Sequence, residues 1–298
     1  DNGFEGIVVR GGDGVIDDVN VENNTVTGHN SDEDGAGIFV YSSDWYGGYD
    51  KCQNVTVWNN TVTGNIRGVV LYNTRQITVE DNTITTDSGS FDLGQEAIRL
   101  DGGNNCTIID NDISSCDGVG ISAKTMWDGT ESYDNTFTNN TIDGAKFAGV
   151  FIYSGAYDNT FTDNTITGTT MLTQWAGEDY EETQGDGVFL WGYTGAEAGT
   201  GNIFHCNKIT GNADDGMENQ TTTTVDAENN WWGDPSGPGG AGGGSGDTVS
   251  DYVDFFPWLL SPDCNDTTVT EADFVVDDDW AGLTMYTQVF VDSTAYYI

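Results

Sequence analysis

Apolar and polar residues alternate along most of this chain in very short runs. Val55-Thr56-Val57-Trp58 and Ile77-Thr78-Val79-Glu80 are typical. A period of two places every second side chain on one face, which is the signature of a β-strand. Each run leads into one motif: Asn-Asn-Thr-Val-Thr-Gly at 23–28 and again at 59–64, then Asp-Asn-Thr-Ile-Thr at 81–85 and Asp-Asn-Asp-Ile-Ser at 110–114. It returns as Asn-Asn-Thr-Ile-Asp-Gly at 139–144, Asp-Asn-Thr-Ile-Thr-Gly at 163–168, Cys-Asn-Lys-Ile-Thr-Gly at 206–211 and Asn-Asn-Trp-Trp-Gly at 229–233. A further strand follows a glycine or small residue, as in Gly37-Ile38-Phe39-Val40, Gly68-Val69-Val70-Leu71, Ala97-Ile98-Arg99-Leu100, Gly149-Val150-Phe151-Ile152 and Gly187-Val188-Phe189-Leu190. One repeat therefore holds about three short strands separated by turns.

The shortest step between equivalent asparagines, Asn60 to Asn82, suits one coil of a parallel β-solenoid, and longer steps imply insertions. Asparagine suits the turn because it tolerates the left-handed backbone region, and stacked Asn side chains can hydrogen-bond along a ladder. The Val or Ile after the turn is expected to point inward and stack coil upon coil. Proline, only 4 residues in all, is scarce because interior coils donate backbone hydrogen bonds on both sides.

Charge narrows the partners. Asp+Glu 49 against Lys+Arg 8 gives a net charge of -41 in 298 residues, so no basic stripe exists to neutralise nucleic acid or an anionic membrane. No apolar run is long enough to insert into a membrane as a helix. The chain begins at Asp1, which reads as a processed protein or a piece of a larger one. Sequons at Asn23, Asn54, Asn59, Asn105, Asn139, Asn219 and Asn265 predict a glycoprotein on the extracellular side. The five cysteines form no CxxC pair. Cys106 and Cys116 flank one Asn turn and could face each other, Cys206 could reach Cys264 in the tail, and Cys52 would be the odd thiol.

On these repeats the chain resembles the right-handed parallel β-helix proteins of the NosD-like and pectate-lyase-like superfamily, especially archaeal and bacterial cell-surface modules. The resemblance is most specific at Asn229-Asn230-Trp231-Trp232-Gly233 and at Val253-Asp254-Phe255-Phe256-Pro257-Trp258-Leu259, which look like the last coil and cap of such modules. It implies an all-β fold: a single-stranded right-handed parallel β-helix over residues 1–262 with a strand-rich C-terminal extension at 263–298. Within the helix, 233–250 reads as a Gly/Pro-rich excursion and 251–262 as the terminal coil. The segment around Val275 to Leu283 is similar to one that opens a further module. Gly6-Ile7-Val8-Val9 already reads as the strand after a glycine, so the N-terminus is expected to begin inside a coil and leave an end that something should cap.

Three insertions, Tyr41 to Asp50, Lys124 to Tyr133 and Thr169 to Gly185, are expected to emerge from one edge of the solenoid. Their aromatics, chiefly Trp45, Tyr46, Trp127 and Trp175 with Tyr49, Tyr133 and Tyr180, form a candidate contact surface for a sugar or a protein. β-Helix lyases resemble one another in using Arg or Lys as base, with Ca2+ holding an acidic substrate. Here Arg67, Arg75, Arg99, Lys124 and Lys146 read as too few and mostly outside any acidic cluster. Asp214-Asp215 is the one pair faintly similar to a hydrolase motif and reads as a polar turn, while His29 and His205 stand alone. Asp32 and Asp34, and Asp277, Asp278 and Asp279, offer oxygen ligands for Ca2+, the one cofactor considered possible. Copper delivery is rejected because two distant histidines and 4 methionines supply no ligand cluster.

These readings predict a non-enzymatic extracellular structural protein with no catalytic residues. Its partners are copies of itself, associated head to tail into a filament, sheath or surface layer, with residues 284–298 adding a strand to a neighbouring subunit. The alternative is a carbohydrate-binding or polysaccharide-degrading β-helix module that meets a cell-surface glycan, or an adhesion fragment of a larger surface protein.

Overall fold

The computed structural model describes residues 5–12, 14–29, 35–42, 52–86, 95–126, 129–153, 155–171, 184–192 and 199–265, together with the backbone of 288–291 and 294–297. Among these residues there is no helix. Three all-parallel sheets of ten, nine and seven strands wind into a right-handed parallel β-helix. Each full coil contributes one strand to each sheet. One coil, for example, runs through Arg67–Arg75 in the ten-stranded sheet, Thr78–Glu80 in the nine-stranded sheet and Thr83–Thr86 in the seven-stranded sheet.

The alternation read from sequence decides what lies inside. In the ten-stranded sheet Ile38, Val69, Ile98, Ile121, Val150 and Val188 pair in register and are all buried. In the seven-stranded sheet the inward column is Val26, Val62, Ile84, Ile113, Ile142, Ile166 and Ile209, the Val or Ile of the first seven Asn motifs. In the nine-stranded sheet the column changes from Val79 and Ile108 to Phe137, Phe161 and Phe204, whose rings stack at 4.2 and 4.4 Å between centroids. Small residues precede the inward column because neighbouring chain comes close there. A Cβ on Gly120 would lie 2.5 Å from both the Gly149 carbonyl oxygen and the Ile142 side chain.

The Asn turn divides its work between two residues. The first, at Asn23, Asn59, Asp81, Asp110, Asn139, Asp163, Cys206 and Asn229, holds positive φ. The second builds the ladder. Asn164 Nδ2 donates to Phe137 O at 2.9 Å and to Asn207 Oδ1 at 3.0 Å, while its own Oδ1 accepts from Asn140 N at 2.9 Å and Asn140 Nδ2 at 3.0 Å. A second ladder, through Asn135, Asn159 and Asn202, lines another corner and has no counterpart in the repeat motif read from sequence.

The Gly-rich stretch 233–250 is not an excursion. Pro238–Gly240 and Gly246–Val249 extend the ten-stranded sheet, because parallel pairing satisfies a glycine backbone as well as any other. Trp232 and Trp258 are fully buried at this end, and Trp258 Nε1 donates to Pro235 O at 3.1 Å. In the extension, Gln288–Val291 pairs antiparallel with Thr294–Tyr297 as a hairpin. The three insertions do not share an edge. Two follow the strands Ala36–Ser42 and Val119–Lys124, whereas the third precedes the strand Asp186–Trp191, at the opposite end of the ten-stranded-sheet strands.

Candidate functional site on the outer face of the ten-stranded sheet

Alternation that turns Ile98 and Leu100 inward turns Arg99 and Asp101 outward, and parallel register carries this from coil to coil. One outward column reads Phe39, Val70, Arg99, Ser122, Phe151 and Phe189. The next reads Tyr41, Tyr72, Asp101, Lys124, Tyr153 and Trp191. Rings therefore flank a charged centre on both sides. Phe39 stacks on Tyr41 at 4.5 Å and meets Tyr72 edge-on at 6.3 Å. On the other side Phe151 stacks on Phe189 at 5.3 Å and Tyr153 on Trp191 at 4.9 Å, with Phe147 edge-on to Phe151 and Phe189. Strands about 4.8 Å apart place the Phe39 and Phe189 strands roughly 24 Å from each other.

The centre is a buried ionic cluster. Glu96, 1% exposed, accepts from Lys124 Nζ at 2.7 Å and lies 3.4 Å from Arg99 Nη1 and 3.6 Å from Arg67 Nε. Asp101 Oδ2 receives Arg99 through Nε at 2.8 Å and Nη2 at 2.5 Å. Its Oδ1 is buried without a hydrogen bond, 3.9 Å from Lys124 Nζ. Burial alone would push the Glu96 pKa up, but Lys124, Arg99 and Arg67 together outweigh it and hold the carboxyl at about 2. Three cations, Arg67, Arg99 and Lys124, thus gather around the carboxylates of Glu96 and Asp101 on a chain of net charge -41. The expectation that the cations lie mostly outside any acidic cluster is corrected for Arg67, Arg99 and Lys124. Long stretches of sequence separate them, and only the coil period brings them together.

A second group lies two strands beyond Lys124. Gln184, with its amide nitrogen turned to the carboxyls, donates to Glu218 Oε2 at 2.9 Å and Asp186 Oδ2 at 2.7 Å. Asp215 N donates to Asp186 Oδ1 at 3.1 Å, and the Thr248 hydroxyl donates to Asp215. Burial, reinforced by the charge of Glu218, raises the Asp186 pKa to about 9. Both causes favour the protonated form of the pair. Asp215 opens the strand Asp215–Asn219, so Asp214-Asp215 is the polar entry to a strand, as read from sequence.

A third group decorates the nine-stranded sheet. Asp226 and Glu228 flank the buried Ala227 and so both point out, beside His205 of the preceding coil. His205 Nε2 lies 2.6 Å from Asp226 Oδ1, and one ligand atom from each of His205, Asp226 and Glu228 lies within 4.8 Å of the others. His205 does not stand alone.

The disulfide joins Cys206 to Cys264. Cys106 and Cys116 are unbonded, each buried, and Cys52 is also free and buried. Burial raises Cys106 and Cys116 to about 12 and Cys52 to about 11, so these thiols remain protonated. Six sequon asparagines, Asn23, Asn54, Asn59, Asn105, Asn139 and Asn265, are exposed. Asn219 is not an acceptor: it is 5% exposed, and its amide nitrogen donates to Thr223 O and Tyr252 O. Of the loop aromatics, Tyr133 stacks on Tyr157 at 5.1 Å. Trp45, Tyr46, Trp127 and Trp175, and the acidic Asp32, Asp34, Asp277, Asp278 and Asp279, lie outside the described residues. Sequence reasoning missed Tyr72, Tyr153, Trp191, Glu96, Asp101, Asp186 and Glu218. Aligning the coils on their small residue and reading two and four positions on would have exposed the outward columns.

No curated protein sequence matches the chain. Among solved structures it is similar to the alginate lyase from Paenibacillus sp. str. FPU-7, at 12% identity and a TM-score of 0.47, covering 66% of this chain and 63% of that one. It is also similar to PfbA, a surface adhesin of Streptococcus pneumoniae, at 13% identity and a TM-score of 0.45, covering 75% and 67%. The catalytic domain of a GH87 α-1,3-glucanase in complex with nigerose follows at 13% identity and a TM-score of 0.35, covering 76% and 54%. The expectation of a non-enzymatic chain is corrected: an alginate lyase and a glucanase catalytic domain are among the structures it is similar to. Its other ground, the lack of any constellation, fails on the Lys124 and Asp186 clusters. The model of the family described as "Periplasmic copper-binding protein (NosD)" matches residues 5–237, and the chain belongs to that family.

Proposed function

We propose that this chain is an extracytoplasmic polysaccharide-binding and polysaccharide-processing β-helix whose working surface is the outer face of the ten-stranded sheet. One observation carries the reading: stacked rings lie on both sides of a buried cluster that gathers three of the chain's eight Lys and Arg residues. Half-buried Tyr and Trp rings offer flat apolar surfaces to sugar rings, and the roughly 24 Å between the two clusters accommodates several sugars in a row. The gathering of three cations at the centre favours an acidic glycan there, although the chain as a whole repels polyanions. The Asp186–Glu218 pair, whose burial and like charge favour a held proton, is the candidate proton donor on this face.

Binding to a panel of acidic and neutral polysaccharides, with product analysis for new chain ends, tests the proposal. Acidic glycans are expected to bind, with Trp191→Ala and Arg99→Ala each weakening them. Binding to none of the panel, or binding indifferent to both substitutions, overturns it. Head-to-tail association into a filament, sheath or surface layer rests on the repeat pattern alone, and electron microscopy of native material decides it.

A further inference from the structure

The family description names copper, which makes the chain's donor chemistry worth testing against a metal. A soft Cu(I) site needs thiolates or thioethers. The three free thiols do not fit: they are buried and protonated, and Met126 and Met217 are buried as well. The fit lies in a different donor set, one imidazole with two carboxylates on the outer face of the nine-stranded sheet.

We propose that His205, Asp226 and Glu228 bind one divalent first-row transition-metal ion. Donor type supports this, since imidazole and carboxylate together suit Cu2+ and Zn2+ and disfavour Ca2+, which takes oxygen alone. Geometry supports it as well. The three ligand atoms lie within 4.8 Å of one another. An ion about 2.1 Å from each requires only small rotations of side chains that are partly exposed, 31% for His205 and 43% for Asp226. The backbone beneath is fixed. Ile203 pairs with Asp226, the buried Ala227 holds both acids outward, and Glu228 N donates to Asp226 Oδ1 at 3.3 Å. Charge points the same way, because Asp254, paired with Asp226 in the next coil, adds a third carboxylate. A His–Asp ion pair alone explains the 2.6 Å contact but not the convergence of Glu228 on it.

The sequence makes the test clean, for His29 is the only other histidine. Untagged protein is titrated with Cu2+ and with Zn2+ by calorimetry, and the Cu2+ complex is examined by electron paramagnetic resonance. One saturable site is expected, with hyperfine coupling to a single nitrogen. In His205→Ala the coupling disappears and Cu2+ affinity falls at least about tenfold, while unfolding midpoint and circular dichroism stay unchanged. Asp226→Asn weakens binding without removing the nitrogen signal, and His29→Gln changes neither. Nitrogen coupling that survives in His205→Ala overturns the proposal, as does wild-type binding that is only weak and multi-site, as expected of scattered surface carboxylates. Binding of metal and binding of polysaccharide are read separately, since the two faces belong to different sheets.

Discussion

Replacing Glu96 by Gln tests the buried cluster most directly. Glu96 is 1% exposed and its pKa is held at about 2 against an ordinary 4.5 by Lys124, Arg99 and Arg67. A fall of that size corresponds to roughly 3 kcal/mol of stability. The folded pKa is depressed, so the contribution is complete above the unfolded value near 4.5 and is lost as pH falls from there towards 2. Glu96→Gln keeps the shape but removes the charge that Lys124, Arg99 and Arg67 face. At pH 7 the variant should be less stable by about 3 kcal/mol, within the range for breaking one side of a buried pair. Urea unfolding followed by fluorescence of the buried Trp232 and Trp258 measures this across about pH 2 to 8. The gap between wild type and variant should be constant above about pH 5 and close as pH approaches 2. A gap below about 1 kcal/mol at pH 7, or one that persists unchanged at about pH 2, would refute the electrostatic account of this cluster.

Asp186 should give the opposite slope: its folded pKa is raised from 3.8 to about 9, so stability is fullest below 3.8 and declines as pH rises towards 9. Asp186→Asn, which stays neutral, should flatten that decline; an unchanged pH profile would show that the pair holds no proton. Asn164→Ala removes four ladder hydrogen bonds and strands buried partners on both neighbouring coils, with an expected loss of about 3 kcal/mol or more, and a loss under about 1 kcal/mol in thermal or urea unfolding would count against the ladder as a structural element. Alkylation of the denatured chain should label three thiols without reductant and five with it, and reduction should cost up to about 4 kcal/mol for a bridge spanning 58 residues. Five labels without reductant would exclude the Cys206–Cys264 bridge.

By itself the sequence determined the coil. Alternation sets which side chains face in, the Asn turn sets where each coil bends, and a repeat obliges successive coils to stack in register, so the all-β solenoid and its aliphatic columns are legible residue by residue. The turn's two roles, positive φ at Asp163 and laddering at Asn164, were readable as chemistry though not as a division of labour. The face that works was decided by tertiary structure. Arg67, Arg99 and Lys124 look scattered along the chain because coils differ in length through their insertions, and only parallel pairing places their three strands side by side. The same holds for Asp186 with Glu218 and for His205 with Asp226, whose partners come from the next coil. Local pattern fixes which face a side chain takes, since that depends on its neighbours two residues away. Which charges meet on that face depends on the coil-to-coil register, and that is set by the accumulated length of every insertion between them.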